Sequence, residues 1–303
     1  MKEGRHEGVH REQVRRSRGN AMTDVTATVT ARTAPTRTVR AGGTHFTYRD
    51  LGPRTGMPLV LLHHFTAVID DWDPDFIDGI AAERRVVIFD NRGVGGSPGR
   101  VPTTVEAMAS DAISFIRSLH IEQADILGFS LGGFIAQVIV EREPNLVRKV
   151  ILAGTGPAGG EGVGQFNLRL LSDFMGGLIT FKNPKPLLFF TRTSAGKAAA
   201  ADYMRRLQLR AADRVKPTSV RSAVRQLLAI RRWGSQEPMR LEQIAHQSLV
   251  ANGEDDRMLA TRASFELAHR LPNASLVIYP DAGHGGVFQH RDRFIPAVLD
   301  FLD

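Results

Sequence analysis

The unbroken apolar runs LVLL at 59–62 and VVIF at 86–89 constrain this chain most. A strand with one wet face alternates apolar and polar residues, so a strand that is apolar throughout has to be covered on both sides. Further β-rich runs recur as THFTYRDLG, ADILGF, VRKVILAG, QSLVANG and SLVIYP. Between them lie segments with helical spacing of apolar residues: 103–119, with Thr103 or Thr104 available as N-cap, then LGGFIAQVIVERE, MLATRASFELAHRL and the closing RDRFIPAVLDFLD. Such alternation predicts a single α/β core built on a doubly wound, mostly parallel sheet. With 303 residues and 42% hydrophobic content, the chain can fill a core of that size.

Two stretches break the rhythm. Residues 1–37 are polar, rich in Arg and Thr and without periodicity, which predicts a disordered tail. Residues 157–238 carry helical or mixed patterns and no clear strand, which predicts a helical cap inserted before the last strands; the core is then 38–156 plus 239–303.

Cysteine is absent, so disulfides, thiolate metal sites and a cysteine nucleophile are excluded together. The net charge of +7 invites a nucleic-acid reading, but the positive excess is localised. Residues 157–240 hold 15 Lys/Arg against 5 Asp/Glu, a net +10, and 1–40 a net +5, while both core segments are acidic. Without a zinc pattern, an RNP motif or a basic helix with heptads, no nucleic-acid partner is expected. The cap's charge reads as a solvated Arg-rich face in preference to an anion-binding one. No window reaches the roughly 18–20 apolar residues of a membrane span, and nothing apolar follows Arg15 and Arg16, so the expected setting is the cytoplasm with no membrane partner.

The chemistry starts at ILGFSLGGF, 126–134. G-x-S-x-G occurs twice, at Ser130 and in GGSPG at Ser97, so context has to separate them. Ser130 stands between the strand-like ADILGF and the helix-like LGGFIAQVIVERE. There a sharp turn exposes a hydroxyl, and the Leu131 N–H opens a helix whose dipole favours an oxyanion. Ser97 is followed by Pro98, which has no N–H, inside a loop. The plain alternative for Ser130 is a helix N-cap.

A serine hydroxyl needs a base in reach, and the base needs an acid to orient it. His284, in the loop DAGHGG after the strand SLVIYP, lies where such sheets place their chemistry, with His290 as the other candidate. The acid comes from GEDD after QSLVANG: Asp256 ahead of Asp255, giving the chain order Ser130, Asp256, His284. A metal site on His63, His64, Asp70, Asp71, Asp73 and Asp75 is disfavoured, because adjacent strand residues point to opposite faces.

These residues resemble the α/β-hydrolase superfamily across about 39–302. The likeness is carried by LLHHF, DNRGVGGSPG, GFSLGG, the G-x-x-D ending at Asp256 and the AGH ending at His284. HFTAVIDDWDP is similar to a loop of bacterial esterases and cofactor-free haloperoxidases. The resemblance implies an eight-stranded sheet and an oxyanion hole formed by the Phe65 and Leu131 N–H groups. His64 stands where glycine is usual, which makes it a candidate pocket residue beside Phe174, Phe189 and Trp233. The expectation is a cofactor-free, metal-free serine hydrolase of the carboxylic ester class (EC 3.1.1), acting on an ester, lactone or thioester of a small apolar substrate. Perhydrolysis (haloperoxidase activity) and C–C bond hydrolysis by the same three residues are the alternatives, and a non-catalytic receptor-like member the alternative of another class.

Overall fold

A computed structural model describes Met1, residues 29–164 and residues 184–303. The strands are β1 (Arg37–Ala41), β2 (Thr44–Leu51), β3 (Leu59–Leu62), β4 (Val86–Phe89), β5 (Ala124–Phe129), β6 (Val147–Ala153), β7 (Gln247–Gly253) and β8 (Ala274–Tyr279). They form one eight-stranded sheet in the order β1-β2-β4-β3-β5-β6-β7-β8. The β1–β2 and β2–β4 pairings are antiparallel and all later ones parallel.

The apolar runs are explained by the two faces they serve. Val60, Leu62, Val87 and Phe89 enter the core under α2 (Val105–Ser118) and α3 (Leu131–Arg142). Their neighbours Leu59, Leu61, Val86 and Ile88 enter the opposite core with α1 (Pro74–Ala81) and α9 (Arg291–Leu302). Successive strand residues alternate faces, so burial on both sides demands apolar residues at every position. Thr104 caps α2, its side chain accepting from the Ala107 N–H.

Between β6 and β7 the described residues add three α-helices, α4 (Lys185–Phe189), α5 (Ser194–Leu207) and α6 (Val220–Ser235), a short 3-10 turn at Leu241–Gln243, and no strand. α7 (Arg262–Arg270) and α8 (Gly286–Gln289) complete the described α-helices, and no helix among the described residues is long and apolar enough to cross a membrane.

The end of the segment expected as a disordered tail departs from that expectation. Ala34 is fully buried, Arg210 donates to the Ala31 and Ala34 carbonyls, and the Thr36 N–H bonds Asp213. Its attachment runs through backbone groups, which leave no periodic pattern in the side chains. β1, RTVRA, likewise escaped the reading of its residues because it is short, largely polar and exposed along most of its length.

Candidate active site

β5 delivers Ser130 into a left-handed backbone conformation, φ 56° and ψ −116°. A non-glycine residue there stores about 1–3 kcal/mol of strain, which the surrounding contacts have to offset. The Ser130 N–H donates to the Ala153 carbonyl on β6 at 2.8 Å, and its own carbonyl accepts from the Gly133 N–H (2.8 Å) and the Thr155 hydroxyl (2.9 Å). Although Ser130 precedes α3, its side chain makes no capping bond, so the hydroxyl is not consumed by the helix. Ser97 is engaged instead: it donates to the Asp90 carbonyl at 2.7 Å and accepts from the Thr47 N–H.

The glycines of GFSLGG are there for backbone proximity. A Cβ on Gly132 would lie 2.1 Å from the Leu62 carbonyl oxygen, and one on Gly128 2.3 Å from the Gly132 carbonyl oxygen. The end of β3 therefore abuts the first turn of α3. Leu131, the first residue of α3, has no intrahelical acceptor for its N–H.

His284 follows β8 and is buried, its Nδ1 2.8 Å from Asp256 Oδ2. The other Asp256 oxygen accepts from the Met258 and Leu259 N–H groups, which fixes the carboxylate. Because Nδ1–H donates to the carboxylate, the neutral ring carries its lone pair on Nε2, which is buried without a partner. His290 points elsewhere: its Nε2 bonds the Pro280 carbonyl at 3.1 Å and its ring stacks on Tyr279.

The walls are aromatic. Phe129 and Phe189 lie 5.0 and 5.5 Å from the His284 ring, centroid to centroid. Phe189, at the end of α4, comes this close because Gly283 and Gly285 leave room; the Gly285 N–H donates to its carbonyl at 2.8 Å. Trp233, expected in the pocket, stacks on Phe134 of α3 at 5.4 Å and so packs α6 against α3. Phe174 lies outside the described residues.

The loop from His64 to Asp75 is the second half of the site. His63 is tied down: Trp72 Nε1 donates to its Nδ1 at 2.7 Å, and its Nε2 faces Asp90 at 3.6 Å. His64 turns the other way, Nδ1 2.9 Å from the Phe65 carbonyl and its ring beside Phe129 (5.3 Å) and Phe189 (5.1 Å). Burial and the Lys185 ammonium push its imidazole down to about 3, against the pull of Asp71 and the Phe65 carbonyl. Phe65 itself is half-buried. The next N–H, of Thr66, donates to Gln226 of α6 at 2.8 Å and holds a second left-handed residue, φ 62°.

The carboxylates of this loop bind cations of the protein. Asp73 is held by Arg206 at 2.7 Å with both side chains buried, Asp71 by Lys185, and Asp70 by Arg49 at 2.8 Å. Arg206 and Lys185 come from the segment between β6 and β7, which corrects the reading of its positive charge as a solvated face: part of that charge pairs with this acidic loop. Sequence reasoning missed these pairs, together with Gln226 and Thr155. Complementary charge between 70–75 and the cap was the available signal.

Comparison with known proteins fits this architecture. The model of the alpha/beta hydrolase fold family matches residues 57–291. A structure described as an alpha/beta hydrolase fold protein from Chitinophaga pinensis superposes with a TM-score of 0.85 at 36% identity, covering 91% of this chain and 99% of that one. An Agrobacterium fabrum protein whose name proposes a carbamate hydrolase, RutD, is 27% identical over 76% of this chain and 87% of its own. The 2-hydroxymuconate semialdehyde hydrolase of Pseudomonas sp. strain CF600 is 28% identical over 88% and 93%. The chain belongs to the α/β-hydrolase family.

Proposed function

We propose that the protein is a serine hydrolase that cleaves a carboxylic ester, lactone or thioester of a small, largely apolar substrate. The observation that supports the reading is the hydrogen bond from His284 to Asp256, which leaves His284 Nε2 unspent as a base for the strained, uncapped Ser130 that the reading makes the nucleophile. Ser130 Oγ attacks the carbonyl carbon as its proton passes to His284 Nε2, and Asp256 keeps the ring in the required tautomer. The Leu131 and Phe65 N–H groups receive the oxyanion, where preorganised donors supply about 3–4 kcal/mol. Collapse of the tetrahedral intermediate protonates the leaving group from His284. Water, deprotonated by the same nitrogen, then releases the acid. The aromatic walls favour an apolar acyl group. No step calls for a cofactor or a metal.

A second reading, hydrolysis of a C–C bond beside a carbonyl, is favoured by the Pseudomonas relative, which matches over most of this chain. It uses the same three residues and is told apart by the product.

The test is a fluorophosphonate probe read by intact mass on wild type and Ser130→Ala, beside hydrolysis of short p-nitrophenyl esters. One adduct on wild type only is expected, with turnover falling about 10³-fold or more in the variant. Wild-type-like turnover in a folded Ser130→Ala protein overturns the assignment.

A further inference from the structure

His64 and His284 share one aromatic enclosure, since Phe129 and Phe189 touch both rings. Each histidine also presents a buried Nε2 with no hydrogen-bond partner. The proposed reaction uses the one on His284 and leaves the other unexplained.

The protonation of His64 follows from its contacts. A carbonyl oxygen can only accept, so the bond from Nδ1 to the Phe65 carbonyl places the hydrogen on Nδ1. The ring is held neutral by burial, so Nε2 carries a lone pair and no hydrogen. A buried acceptor without a donor is costly, and a protein tolerates one most readily where a ligand supplies the donor. The neighbouring His63 differs in its surroundings: Trp72 Nε1 donates to its Nδ1, and its Nε2, also without a hydrogen-bond partner, lies 3.6 Å from the buried Asp90 carboxylate and away from His284.

We infer that His64 Nε2 is the specificity-determining acceptor of the pocket, and that the natural substrate is an acyl compound with a hydroxyl or N–H donor within a few bonds of its reacting carbonyl. This rests on the proposed serine chemistry, because Phe65, the adjacent residue, is the one assigned to the carbonyl oxygen. An acceptor at this point discriminates in both directions. It rewards a donor, and it sets its lone pair against an ether or carboxylate oxygen in the same place.

The experiment uses matched p-nitrophenyl esters of butyrate, 2- and 3-hydroxybutyrate and their methoxy counterparts, with wild type, His64→Leu and His64→Gln. The quantity read is the ratio of kcat/KM for a hydroxy ester over its methoxy counterpart within each protein, so that a general loss of activity cancels. A wild-type ratio of about ten for at least one pair is expected, falling to about one in His64→Leu and partly retained in His64→Gln, whose amide oxygen can accept. The same pairs as methyl esters are titrated into Ser130→Ala, where the hydroxy ester binds about tenfold tighter. That arm needs no turnover, so a failure of the serine chemistry leaves it standing and the two ideas fail separately. Equal wild-type ratios together with equal binding to Ser130→Ala overturn the inference, as does a His64→Leu protein that keeps the wild-type preference. If His64→Leu does not fold, the wild-type ratio and the binding pair decide alone.

Discussion

At the Ser130 corner the close contacts run between backbones, whereas the loop at 64–75 is held by side chains that arrive from distant parts of the chain. Gly132 meets the Leu62 carbonyl, Gly128 meets Gly132, and Ser130 itself is fixed by Ala153 and Thr155. By contrast Asp73 is met by Arg206, 133 residues on, Asp71 by Lys185, 114 on, and the Thr66 N–H by Gln226, 160 on. The two regions border one site. One is set by the sheet's own geometry and the other by how the helices between β6 and β7 are seated, so substitutions should separate shape at the corner from docking at the loop.

The largest effect is expected at the loop's ionic anchor. Arg206→Met leaves the Asp73 carboxylate buried without its cation, which should cost about 3–5 kcal/mol in urea unfolding. The double variant Asp73→Asn/Arg206→Met should recover part of that loss, since no lone charge remains. Equal stabilities for single and double variants would show that the pair does not seat the cap.

Gly132→Ala probes the corner with a single methyl group. Its Cβ would fall 2.1 Å from the Leu62 oxygen and 2.5 Å from the Leu62 carbonyl carbon, and a backbone cannot swing aside as a flexible side chain can. Overpacking of this kind costs about 1–3 kcal/mol. The shift should also move Leu131 relative to β3, so ester turnover should fall further than stability alone explains. An unchanged kcat at a temperature where the variant is fully folded would show that the corner tolerates displacement.

These contrasts explain what could be read in advance. The parallel core, the Ser130 turn and the contact between Asp256 and His284 were legible because each depends on a local pattern: burial on both faces of β3 and β4, glycines around one serine, a loop directly after a strand. The seating of the loop was not. Nothing near Asp70, Asp71 or Asp73 announces that their partners lie in the cap, and an acidic run has the same appearance whether it binds water, metal or arginine. Trp233 was misplaced for the same reason. An aromatic residue in a cap helix can face the pocket or the core, and only the stacking on Phe134 decides. The segment at 29–36 left no trace because many of its bonds are made by carbonyls and N–H groups and its side-chain bonds, from Arg32 and Thr36, follow no period.

The loop also carries a pH signature that the corner lacks. His64 titrates near 3 in the folded chain and near 6.5 when unfolded, so between those values the unfolded chain binds the extra proton. Its contribution therefore favours folding less and less as pH drops below 6.5, by about 2 kcal/mol at pH 5, and it is level above neutrality. Urea midpoints for wild type and His64→Gln at pH 7 and pH 5 isolate this term, because other titrating groups are common to both proteins. The gap between the two proteins should shift by about 2 kcal/mol in favour of the variant on going to pH 5. A constant gap would mean that the imidazole takes up its proton without leaving the fold, and Nε2 would then be a donor inside the pocket. That outcome would bring the loop closer in kind to the Ser130 corner, with its chemistry fixed by position alone and not by a buried, uncharged acceptor.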